Sequence, residues 1–136
     1  MIVASTQFNA GQLKILGLAS VQNGDLLAAE EEVFDSVFEG VSHAEVNALP
    51  DGTLRTLFAS ILAPFVFVQL SRNRNAYLKQ QGEVTATATA YGRTTTSRLL
   101  EVWNAGVIDG KRRFYGNLSL FRQTFEHVAL VASIKL

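Results

Sequence analysis

The stretch at residues 54–70, LRTLFASILAPFVFVQL, limits what this chain can become. Leu54, Leu57, Phe58, Ile61, Leu62 and Phe65 recur at the i, i+3, i+4 spacing that stacks side chains on one face of a helix. Val66, Phe67, Val68 and Leu70 then widen the stripe until little polar face is left. A helix apolar nearly all round must be covered on several sides, so the other elements are expected to pack around it. Arg55, Ser60 and Pro64 interrupt the run, and it falls short of the roughly 20 mostly apolar residues that a membrane span needs. It reads as a core helix. Pro64 lacks the N–H of a helical hydrogen bond and is expected to kink the axis or restart it near Ala63.

A chain of 136 residues fits one domain, 1–136. Hydrophobic residues make up 48% and charged residues 18%. A small domain with more apolar residues than its own core needs places the excess in an oligomer interface. Cysteine is absent, which excludes disulfides, zinc–thiolate clusters and thiol nucleophiles. His43 and His127 have no metal-ligating partners at ligand spacing, and the glycines form no phosphate loop. No catalytic, cofactor-binding or metal site is therefore expected, and the chain does not read as an enzyme. The opening MIVASTQFNAGQ lacks the basic region and long apolar core of a signal peptide, so a cytoplasmic origin is expected.

Charge is neutral overall but unevenly spread. Residues 1–51 carry eight acids against Lys14 alone; residues 52–136 carry eleven bases against four acids. Either the halves neutralise each other inside one fold, or they form complementary faces, and head-to-tail contact between such faces makes a ring when the rotation closes.

Along the chain, Ser5 or Thr6 caps a first short helix with Phe8, Leu13, Ile15 and Leu16 inward. A second helix opens at Asn23 or Asp25, runs to about Glu39 and ends at Gly40. Glu30 interrupts its apolar face. Glu30, Glu31 and Glu32 are consecutive, so they point about 100° apart and do not converge on an ion; they read as a solvated acidic face near the favourable pole of the helix dipole. Ser42 with Glu45 forms a capping box for a short turn through Ala48, with His43 in a structural place beside it. Pro50-Asp51-Gly52-Thr53 is a turn, with Asp51 or Thr53 capping the apolar helix. Beyond Leu70, Arg72 and Arg74 read either as the solvated, cation-favouring end of that helix or as a nucleic-acid contact.

Residues 83–97, EVTATATAYGRTTTS, set Thr85, Thr87 and Thr89 on one face of a strand and Ala86, Ala88 and Ala90 on the other. Neither face is strongly apolar, so the strand is poorly pinned to a core and well suited to pair with another chain. With Val84 at its start and Tyr91-Gly92 as a break, it reads as a projecting β arm or hairpin; a flexible polar loop is the plainer reading, though a structureless loop of this length is uncommon in a compact domain. Thr96 or Ser97 caps a further helix limited by Gly106 and Gly110, with Asp109 opening the next segment. Lys111, Arg112 and Arg113 could hold phosphates or the acidic half of a neighbour, and overall neutrality favours the neighbour. Phe114, Leu118, Phe121 and Phe125 follow at helical spacing as a core or interface stripe. The terminal run 127–136, HVALVASIKL, alternates as a strand that pairs with the Thr/Ala segment or with a partner.

In sum, the chain reads as mainly α, a helical bundle around a long apolar helix, with a β arm near 83–97 and a C-terminal strand. This order resembles the small head–tail connector (adaptor) proteins of tailed bacteriophages, and in particular looks like the group from phages of Bacteroidetes hosts. The likeness covers roughly residues 26–97 and is strongest in the apolar helix and the following GEVTATATAYGRTTTS. The C-terminal VALVASIKL and the strict Thr/Ala alternation depart from that pattern. The resemblance implies a non-enzymatic virion protein of the neck. Such a protein is assembled in the host cytoplasm into a ring, typically dodecameric, with the portal above and a tail or second ring protein below. DNA would pass through the lumen without sequence-specific binding, and no cofactor or membrane is involved. The expected contacts are Glu30, Glu31, Glu32, Arg72, Arg74, Val84, Thr85, Thr87, Thr89, Tyr91, Lys111, Arg112 and Arg113. The competing expectation is a small helical nucleic-acid-binding or regulatory module that uses the basic C-terminal half.

Overall fold

The computed structural model describes residues 1–4, 8, 13, 22–80 (backbone only over 75–80) and 96–135. The first predicted helix lies largely outside them, although Phe8 is buried and Leu13 packs on the core. The predicted β arm, with Val84, Thr85, Thr87, Thr89 and Tyr91, lies outside the described residues up to residue 95; its last two positions, Thr96 and Ser97, are not strand but the first residues of the helix Thr96–Gly116.

Five helices and a two-stranded sheet are described: α1 Asn23–Val37, β1 Phe38–Glu39, α2 His43–Asn47, α3 Thr53–Gln80, α4 Thr96–Gly116, α5 Leu118–Thr124 and β2 Ala129–Leu130. The mainly α class stands, and α3 is its axis. Phe58, Ile61, Leu62, Phe65, Val66, Phe67, Val68 and Leu70 are all buried. The apolar window is longer than the sequence reading allowed. Thr53–Arg74 is long and apolar enough to cross a membrane by length and composition, yet half of that window is buried inside the fold. Packing, rather than length, is what makes α3 a core helix.

Both α1 and α4 pack along α3 and hardly touch each other. The α4 side of α3 is its Ile61–Pro64–Phe65 surface. A Cβ on Gly106 would sit 2.8 Å from Pro64 Cγ, one on Gly110 would sit 3.4 Å from Ile61 Cγ2, and Phe65 meets Trp103 edge to face at 4.8 Å. The two glycines thus lie inside one continuous helix instead of limiting it; they let the α4 backbone approach α3 closely, and that contact offsets their poor helix propensity. Asp109 likewise sits mid-helix and opens no new segment. Pro64, in the middle of α3, turns its ring toward this glycine surface.

The α1 side of α3 includes Gln69 and Asn73, whose amides donate to Glu32 at 3.0 and 3.3 Å. The helix continues past Arg72 and Arg74 to Gln80, so these arginines occupy its body and not its solvated end.

The aromatic stripe is split, because the chain breaks helix at Asn117 between Phe114 and Phe121. Its members still converge. Phe121 meets Phe58 at 4.9 Å and Phe114 at 4.9 Å, and Phe125 meets Phe58 at 5.9 Å. Offset and edge-on geometries of this kind add to burial.

Gly40 is required for a reason other than helix termination. Helix α1 ends at Val37 and passes directly into β1. Gly40 has φ +79°, and a Cβ there would fall 2.0 Å from the His127 carbonyl oxygen. This close approach lets β1 pair with β2, antiparallel, with Phe38 opposite Leu130 and Glu39 opposite Ala129. The terminal strand is therefore short, and among the described residues it pairs with β1 of its own chain. Beyond it the run is held to α4: Trp103 Nε1 donates to the Ser133 carbonyl (2.8 Å), and the Asn104 amide exchanges two 2.9 Å bonds with the Lys135 backbone.

Candidate interaction surfaces

Glu30 is the clearest departure from expectation. Its side chain is fully buried and is no part of a solvated acidic face or an exposed contact. The carboxylate accepts from Ile2 N–H (3.0 Å), from Val3 N–H (2.7 Å) and from His43 Nε2 (2.6 Å). A buried charge is tolerated when its oxygens are met by donors in this way. His43 is delivered by the α2 capping box, in which Ser42 and Glu45 bond reciprocally as the sequence indicates. Arg55, an interruption in the apolar run, does related work. Its guanidinium donates to the carbonyls of Asn47 (2.7 Å), Leu49 (2.8 Å) and Met1 (2.7 Å). Together Glu30 and Arg55 fasten residues 1–3 across α1, α2 and the start of α3.

Glu31 and Glu32 are exposed and continue the outer face of α1 with Asp25 and Asp35; Glu39 follows on β1. Glu32 is held by neutral amides, and Asp35 and Glu39 have no ion-pair partner among the described residues. At the end of this acidic face lies a shallow pocket of about 360 Å³, where Phe38, Gly40, Val41 and Val131 meet Asp35 and Glu39.

The basic cluster is exposed on α4. Arg112 pairs with Asp109, and Arg113 reaches the same carboxylate at 2.7 Å. Partial burial pushes the Asp109 carboxyl up. Hydrogen bonds from Arg113 and Arg112, with their charges, outweigh that and hold it below the ordinary carboxylate range. Lys111 has no ion-pair partner among the described residues. Ile108 (63% exposed) and Tyr115 (59%) share this face, seven residues apart. The other exposed large hydrophobics among the described residues, Val131 and Ile134, lie on the run beside α4. Sequence reasoning missed Ile108 and Tyr115. Their signal was present, because i and i+7 fall on one helix face, and that face is turned about 100° from the one carrying Val107 and Phe114.

Arg72 is exposed on α3 and Arg74 is half-buried, so the pair does not present one even basic patch. A groove of about 530 Å³ between α3 and α4 has charged rims, but Arg98 pairs with Glu101 and Arg113 with Asp109 there. Among the described residues no group of three His, Cys, Asp or Glu could hold a metal ion. The structure brings the exposed acids of α1 together on one face, spreads Lys111, Arg112 and Arg113 around α4, and separates Glu30 from both.

Comparison of the chain with family models, with curated proteins and with solved structures returns no match.

Proposed function

We propose that this chain is a non-enzymatic structural subunit that assembles head to tail into a ring, and that the ring is the neck element joining portal to tail in a tailed bacteriophage. The assembly part rests on one observation. Asp35 on α1 and Lys111 on α4, neither with an ion-pair partner among the described residues, lie on helices packed against different sides of α3. Surfaces placed in this way meet on neighbouring copies, and unlike surfaces in contact give rings or filaments instead of closed pairs. The phage part rests on the sequence likeness over roughly residues 26–97, and so do the dodecamer, the portal and tail partners, the virion location and the passage of DNA.

Mass photometry and negative-stain imaging of the purified chain at low salt test the proposal. Annular particles with a central opening are expected, and their number should rise when a portal is supplied. A monomer at every concentration and salt, with or without portal, overturns it. Labelled duplex DNA in the same preparation tests the nucleic-acid alternative. Salt-sensitive binding of DNA by the monomer would favour that alternative.

A further inference from the structure

The two surfaces above carry opposite charges, and each holds an exposed apolar side chain. On α4, Ile108 and Tyr115 project from the helix, flanked by Lys111 and Arg112. At the end of α1, the pocket of about 360 Å³ is lined by Asp35, Phe38, Glu39, Gly40, Val41 and Val131, with Val131 its exposed large hydrophobic. One is an apolar projection between cations, and the other is a recess lined by Val131 and two carboxylates. Lys111, Asp35 and Glu39 all lack ion-pair partners among the described residues, so none has to abandon an existing pair to meet the other surface. Arg112 pairs with Asp109, but that pair is exposed and Arg113 also holds the same carboxylate.

We infer that the Ile108–Tyr115 face of one copy docks into the Asp35–Glu39 recess of the next, with Lys111 and Arg112 meeting the two acids. The occupant is a second copy of this chain because the chain itself carries both halves of the match, and its zero net charge opposes no self-association. A desolvated apolar centre ringed by opposite charges is the arrangement of an efficient protein contact, in which the centre supplies affinity and the rim supplies register and encounter rate. The contact rests on the proposed head-to-tail assembly and names the surfaces that make it.

Complementary charge reversal tests it. Lys111→Glu with Arg112→Glu, and separately Asp35→Lys with Glu39→Lys, should each weaken self-association by about 100-fold in sedimentation velocity. Mixing the two variants should restore association, because each retains the half that the other lacks. Since the chain has no cysteine, an Ile108→Cys copy mixed with a Val131→Cys copy should give a disulfide-linked heterodimer in excess over either homodimer. Circular dichroism matching the parent shows that each surface variant is folded. Assembly that is indifferent to these reversals and yields no mixed disulfide overturns the contact while leaving the ring intact. A closed dimer that is broken by either reversal and restored by mixing supports the contact and overturns the ring. A chain that never associates overturns both.

Discussion

At the scale of single residues, Glu30 shows how little an acidic letter says about exposure. In sequence it belongs with Glu31 and Glu32; in the fold its side chain is 0% exposed and three donors converge on it. Replacing Glu30 by Gln removes the charge from those hydrogen bonds. It should lower stability by about 1.5–3 kcal/mol, read from the urea midpoint, whereas Glu31→Gln on the solvent side should stay within about 0.5 kcal/mol. Asp109 gives a pH test. Its folded-state pKa is depressed, so its contribution is present above the unfolded value and is lost as pH falls through the lower folded value. Asp109→Asn should therefore lose part of the parent's fall in Tm below about pH 4 and leave the slope above pH 5 unchanged. Of these roles, the position of Glu30 in the apolar period was readable, since it interrupts Leu26, Leu27 and Val33. The identity of its donors was not, because residues 2, 3 and 43 are distant in the chain.

At the scale of elements, the α3–α4 contact decides what the glycines mean. Gly106 faces the rigid Pro64 ring and Gly110 faces Ile61 at ordinary contact distance. Gly106→Ala should destabilise by about 1–3 kcal/mol, as overpacking does, exceeding any gain in helix propensity. Gly110→Ala should be neutral or stabilising by up to about 1 kcal/mol. Thermal unfolding of the two variants side by side checks the contrast, and a matched loss at both positions would refute it. Sequence alone reads both glycines as helix ends, because intrinsic propensity is all it offers. The capping box at Ser42 and Glu45 and the core face of α3 were legible for the opposite reason: each is set by spacing of a few residues within one element.

At the scale of the whole molecule, the uneven charge becomes geometry. The acids of α1 and the bases of α4 sit on different sides of α3, and the ion pairs of Arg112 and Arg113 stay within their own helix. Electrostatic contacts between copies are screened by salt, since the Debye length falls from about 10 Å at 0.1 M to about 3 Å at 1 M. Assemblies of this chain should dissociate between those salt concentrations in light scattering. Under the proposed assembly, replacing residues 84–91 by a Gly-Ser linker of equal length should abolish annular particles in negative stain. The excess of apolar residues was legible in the composition, and which of them stay exposed, Ile108, Tyr115, Val131 and Ile134 among the described residues, was not.

The sequence by itself determined what depends on neighbours a few residues apart: a long apolar helix that must lie at the centre, the helical spacing of α1 and α4, the α2 cap and the segregation of charge along the chain. Only the tertiary structure decided what depends on residues brought together from far apart. It buried Glu30 against the first residues and His43. It ran α4 through two glycines because Pro64 and Ile61 lie against them, and it paired the terminal strand with β1 where Gly40 lets the His127 carbonyl approach. The physical reason is the range of each interaction. Periodicity and capping act within a turn or two of helix, whereas desolvation, close packing and strand pairing are fixed only once the whole chain has closed around α3.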